Sequence, residues 1–108
     1  ENSKIEVKTE WGQWLNTGNI VIEHSCYGKP SGISVTEADF WFHNLALPDG
    51  NFCSLVFPVS ILKKYIKENT LRSVRGGDNN AAELYLVSLK DLFNIKKLQG
   101  LLTWVQET

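Results

Sequence analysis

Two side chains near the start of the chain have the types and spacing for chemistry on a phosphodiester. In Ile5-Glu6-Val7-Lys8-Thr9 a carboxylate and an amine stand two residues apart. On an extended segment that spacing puts both on one face. A carboxylate so placed can hold a divalent cation against a scissile phosphate. The neighbouring ammonium can orient water or stabilise the charge that develops. A second acidic run, Asn19-Ile20-Val21-Ile22-Glu23, offers another carboxylate in Glu23. The same Glu-x-Lys pattern also describes an ordinary solvated strand with cross-strand ion pairs, so the elements around it must decide.

Alternation predicts strands over Lys4 to Thr9 and Asn19 to His24, joined by a loop or wide turn from Trp11 to Gly18. On the first strand Glu6, Lys8 and Glu10 share one face and Ile5, Val7 and Thr9 the other. The short connection favours antiparallel pairing of these two strands. Ser25 to Ser34 carries Gly28, Lys29, Pro30, Ser31 and Gly32 and reads as a loop. Thr36 and Asp39 have capping-box spacing, which predicts a short helix. Phe40 to Ala46 and Phe52 to Phe57 form a hairpin around Pro48-Asp49-Gly50-Asn51. Pro58 to Asn69 is the best helix, with Ile61, Leu62, Tyr65 and Ile66 as its apolar stripe. Leu71 to Asn80 holds the turn Gly76-Gly77-Asp78-Asn79. Ala82 to Ser88 alternates as a strand, and Ser88 to Asp91 has the spacing to cap a short helix. The tail from Ile95 to Val105 is apolar and fits helix or strand. This order predicts an α/β (α+β) domain on one mixed sheet flanked by short helices.

Composition bounds the function. At 108 residues the chain is expected to form one domain with a single core. A net charge of -1 excludes a globally basic nucleic-acid binder, so any such contact must come from a local basic surface. Arg72 and Arg75, with Lys63, Lys64 and Lys67, form the basic cluster that could follow a phosphate backbone. Lys29 and Ser31 sit in a glycine-rich loop where amides and side chains could also hold phosphate. His24 and His43 have no Cys or His at ligand spacing and read as structural histidines. Cys26 and Cys53 read as buried reduced thiols rather than a disulfide framework. With no leader-like segment and no long apolar run, a cytoplasmic location is expected. The chain contains no Met, so it is expected to be processed or cut from a longer protein.

Taken together, Ile5-Glu6-Val7-Lys8-Thr9, Thr17-Gly18-Asn19-Ile20-Val21-Ile22-Glu23 and Gly28-Lys29-Pro30-Ser31-Gly32-Ile33 running into Thr36-Glu37-Ala38-Asp39-Phe40-Trp41 resemble the PD-(D/E)XK nuclease superfamily. That superfamily includes restriction endonucleases and Holliday-junction resolvases, with phage-type and small bacterial members. The resemblance implies a restriction-endonuclease-like fold and Mg²⁺- or Mn²⁺-dependent cleavage of duplex or branched DNA. It makes Glu6 a metal ligand, with the Val7 side chain packed into the sheet and its carbonyl a further metal donor, Lys8 the catalytic lysine, and Glu23 an accessory acid or water-holding group. The family's preceding aspartate has no counterpart here, because only Glu1 to Lys4 stand before the first strand. Either that part belongs to a longer chain, or this is an inactive DNA- or protein-binding relative. A plain interaction domain using the aromatic strands is the third class. Without a covering helix the sheet is expected to associate into a homo-oligomer.

Overall fold

A computed structural model describes residues 2–94. The chain runs through β1 (Ile5–Glu10), α1 (Gln13–Thr17), β2 (Asn19–Cys26), β3 (Lys29–Pro30), a 3-10 turn (Gly32–Ser34), β4 (Phe40–Ala46) and β5 (Phe52–Pro58). It continues through α2 (Val59–Glu68), β6 (Ser73–Gly76), a second 3-10 turn (Asp78–Asn80), β7 (Ala82–Ser88) and α3 (Leu89–Leu92). The protein is mixed α and β, as expected. The strands, however, form two sheets instead of one. The first has the order β1-β4-β5, with β1 parallel to β4 and β4 antiparallel to β5. The second is antiparallel, with the order β3-β2-β7-β6.

The expected β1–β2 hairpin is replaced by the parallel β1–β4 pair, for two local reasons. The connection contains α1, anchored by the Trp14 Nε1–H donating to the Ala46 carbonyl at 2.8 Å. Gly18 ends α1 in the left-handed region at φ 72, where a Cβ would be strained. The chain therefore leaves at an angle that a tight hairpin would not allow. The second reason is a clasp at the start of β1. The Lys4 carbonyl accepts from Asp39 N at 2.8 Å, and Asp39 Oδ2 accepts from Lys4 N at 3.0 Å. Asp39 thus sets the β1–β4 register and caps no helix. The helix expected at Thr36 is absent. Thr36 Oγ1 instead accepts from Ala38 N in a local turn, at 3.2 Å.

The core lies between the sheets. Trp41 and Leu45 on β4 face Ile20, Ile22 and Val87, with Leu62 and Tyr65 of α2 closing the layer. Trp41, Ile20 and Ile22 have no exposed surface. The α2 stripe is the expected one, with Leu62 and Tyr65 buried and Ile61 and Ile66 partly so. Ser88 caps α3, its hydroxyl accepting from Asp91 N at 3.2 Å. The outer face of the three-stranded sheet has no such cover among the described residues. Ile5, Val7 and Val56 there are each at least half exposed. Neither cysteine is buried: Cys26 is half-buried, and Cys53, on an edge strand, is exposed. No helix among the described residues is long and apolar enough to cross a membrane. The tail beyond Asn94 lies outside the described residues.

Candidate active site

The parallel register places Glu6 beside Trp41 and Lys8 beside His43. Glu6, Lys8 and Glu10 therefore share the inner face of the sheet with the residues of the core. Glu6 Oε2 lies 3.6 Å from Lys8 Nζ, with the side chains 35% and 44% exposed, so a ligand from solvent can reach both. An ion pair this exposed is worth at most about 1 kcal/mol. A phosphate or cation can displace it at little cost.

Lys8 and Glu10 of β1, Val21 and Glu23 of β2, and Trp41 and His43 of β4 line one small cleft of about 160 Å³. The structure thus brings Glu23 to the same place as Lys8, although β1 and β2 belong to different sheets. Two devices make this possible.

The first is a buried polar chain. The Trp41 Nε1–H donates to His43 Nδ1 at 3.1 Å. An indole nitrogen can only donate, so Nδ1 is an acceptor and the imidazole carries its proton on Nε2. That proton points to Glu10 Oε1, 3.1 Å away, and the same oxygen accepts from Val21 N at 2.6 Å. Glu10 therefore ties the edge of β2 to the floor of the cleft. His43 is 2% exposed and both its ring nitrogens are engaged. It is the structural histidine that the sequence suggested, and it is also part of the cleft wall.

The second device is the segment 31–36. The Ser31 hydroxyl donates to Glu23 Oε2 at 2.7 Å, and Ser31 N donates to the His24 carbonyl at 3.0 Å. Gly32, at φ +52, passes so close to β2 that a Cβ would lie 2.2 Å from the Glu23 carbonyl oxygen. Only glycine fits there. At the far end, the Thr36 hydroxyl donates to Glu6 Oε1 at 3.2 Å. One short segment therefore orients both outer carboxylates. The β2 register also shifts between Glu23 and Ser25, a bulge of the kind that re-aims side chains at sites.

The other expected site residues are placed differently. The Val7 side chain does not pack into the sheet. It is 55% exposed on the outer face, which leaves only its carbonyl as a candidate donor. Ser31 spends its hydroxyl on Glu23. Lys29 is exposed on β3, and Arg75 is exposed on β6, at the opposite edge of the four-stranded sheet. Arg72, just before β6, is exposed and its carbonyl accepts from Leu86 N at 2.8 Å. Lys29, Arg72 and Arg75 do not line the cleft. Glu10 and His43 are the cleft residues missing from the sequence assignment. Their signal was the continued alternation Glu6-x-Lys8-x-Glu10 and Trp41-x-His43-x-Leu45.

A divalent cation needs several oxygen donors. Among the described residues no group of three His, Cys, Asp or Glu side chains could hold a metal ion. Glu6 with the Val7 carbonyl is a two-donor set. Such a set suits Mg²⁺, which keeps several waters and takes further ligands from substrate phosphate, better than it suits a metal held by protein alone. No family model, no curated protein and no solved structure matches the chain.

Proposed function

We propose that this domain is the catalytic part of a Mg²⁺- or Mn²⁺-dependent DNA endonuclease of the PD-(D/E)XK type, acting on duplex or branched DNA. The observation that carries this reading is the Glu6–Lys8 pair. The two groups share one strand face, stand 3.6 Å apart and remain open to solvent, and Lys8 lines the cleft that Glu23 also reaches. In this reading Glu6 and the Val7 carbonyl hold the cation. When bound, the cation would neutralise the scissile phosphate and lower the pKa of a bound water. Lys8 trades its weak ion pair for the phosphate, where its ammonium orients the attacking water and stabilises the developing charge. Glu23, fixed by Ser31, accepts a hydrogen bond from that water. Glu10 and His43 keep the floor rigid and touch no substrate.

A second reading, a non-catalytic DNA- or protein-binding module on the same scaffold, has its own support. Glu10 and Glu23 already have hydrogen-bond partners, and among the described residues no three His, Cys, Asp or Glu side chains come together to hold a metal ion. Nicking of supercoiled plasmid separates the two. The nuclease reading expects nicking in Mg²⁺ or Mn²⁺, none in chelator, and none from Glu6→Gln. DNA binding with no nicking in either metal would favour the binding module.

A further inference from the structure

A second recess, basic in its lining and of about 340 Å³, lies on the other side of the segment that orients Glu6 and Glu23. Lys63, Ile66 and Lys67 of α2, Ile33 and Ser34 of the 3-10 turn, and Tyr85 of β7 line it. No carboxylate is among these residues. Lys63 and Lys67 are one helical turn apart, so their charges repel across the recess. Lys64 is paired with Glu68, but among the described residues Lys63 and Lys67 form no ion pair. Both are exposed, as is Ser34. The Tyr85 ring is held from behind by His24, stacked at 4.1 Å between centroids and 29° between planes. The His24 ring is fixed in turn by Ser73 Oγ, 2.8 Å from Nε2. Two ammoniums with no ion pair and a hydroxyl with no hydrogen bond among the described residues, beside a clamped aromatic ring, are components with which proteins hold a nucleic-acid strand.

Ser31 and Thr36 reach Glu23 and Glu6, while Ile33 and Ser34 between them line this recess. The acidic cleft and the lysine recess therefore share a wall.

We propose that Lys63, Lys67, Ser34 and Tyr85 form a binding site for a backbone phosphate of a nucleic-acid strand, flanking the phosphate at Lys8. The phosphate bridges the two ammoniums and accepts from the Ser34 hydroxyl, relieving the lysine repulsion. The site rests on the nuclease reading for its partner, but it binds without metal and without turnover.

The test is anisotropy of a fluorescein-labelled DNA duplex in chelator across a salt series, for wild type, Lys63→Gln/Lys67→Gln and, as control, Lys90→Gln, which does not line the recess. Far-UV circular dichroism checks that each variant is folded. One lost phosphate contact lowers the slope of log affinity against log salt by about 0.9, so wild type loses roughly three- to fourfold more affinity than the variant between 50 and 200 mM salt. That difference is the expected result, with Lys90→Gln resembling wild type and the Tyr85 and Ser34 amide resonances shifting on addition of the duplex. Equal affinity and slope in wild type and the double variant would overturn the site, as would no DNA binding by wild type at low salt. Loss of binding to phosphatidylserine vesicles alone, with DNA binding unchanged, would overturn it in favour of a lipid headgroup. Plasmid nicking is read separately. Absent nicking with a recess-dependent salt slope removes the nuclease reading alone, and nicking with an unchanged slope removes the recess alone.

Discussion

Replacing Glu10 tests whether the buried chain from Trp41 to Val21 holds the two sheets in register. Glu10 Oε1 accepts from both His43 Nε2 and Val21 N. Glu10→Ala leaves both donors without that partner. A buried donor left unsatisfied costs about 1–3 kcal/mol. The Glu10 side chain is 15% exposed at the cleft, so water can reach part of the gap and the lower half of that range applies. The expected loss is about 2–4 kcal/mol. At about 2.1 cal/mol/K per residue, the unfolding entropy of this chain makes 1 kcal/mol worth roughly 4 °C, so the melting point should fall by about 8–16 °C. Glu10→Gln keeps the acceptor but loses its charge, and should cost only about 1–2 kcal/mol. Urea unfolding followed by tryptophan fluorescence measures both. A double-mutant cycle with His43→Phe should show a coupling of about 1 kcal/mol or more. A Glu10→Ala loss below about 0.5 kcal/mol, or additive double variants, would refute the claim that this chain joins the sheets.

Gly32→Ala, strained at positive φ and meeting the Glu23 carbonyl, should cost at least about 2 kcal/mol in the same assay and displace Ser31 from Glu23; an unchanged midpoint would contradict this. Burial pushes the Tyr65 phenol well above its usual value, and its hydrogen bond to Asp91 Oδ2 at 2.6 Å adds to the shift. The folded value exceeds the unfolded one, so this contribution is complete below about pH 10 and falls above it by up to about 1.4 kcal/mol per pH unit. Tyr65→Phe should remove that one-proton alkaline slope, and identical slopes in the two proteins would exclude Tyr65 as its source. The exposed apolar face formed by Ile5, Val7 and Val56 predicts concentration-dependent self-association in sedimentation velocity, reduced by Val7→Lys. A concentration-independent monomer would show that the face tolerates water.

Most elements were legible because their signals are local. The β-branched run at Asn19 to His24, the hairpin around Pro48 to Asn51, the α2 stripe and the Ser88 cap each depend on neighbours within a few residues. The partition into two sheets was not, since it depends on Trp14 reaching Ala46 and on Asp39 clasping Lys4 across 35 positions. Thr36 misled because its hydroxyl serves a turn and Glu6 as readily as it would serve a helix N-terminus. The strand β6 is four residues on an edge and carries little pattern. At the site, period two was enough to put Glu6 and Lys8 on one face. The arrival of Glu23 at the cleft lined by Lys8 could not be read from spacing, because a bulge and a glycine-dependent loop contact bring it there. His43 in the cleft wall follows from the β1–β4 register alone.

In the proposed nuclease, Lys8 acts on the reacting phosphodiester and is not merely one half of a surface ion pair. The direct measurement is the single-turnover rate of plasmid nicking in Mg²⁺ by wild type and Lys8→Ala, with DNA affinity measured on the same samples in Ca²⁺. Removing a group that stabilises transition-state charge costs about 100- to 1,000-fold in rate, while loss of the exposed Glu6 pair should hardly change folding. A catalytic Lys8 predicts a rate drop of that size with affinity within about threefold, because the lysine would act mainly in the transition state. Equal nicking by the two proteins would contradict it and place the activity elsewhere.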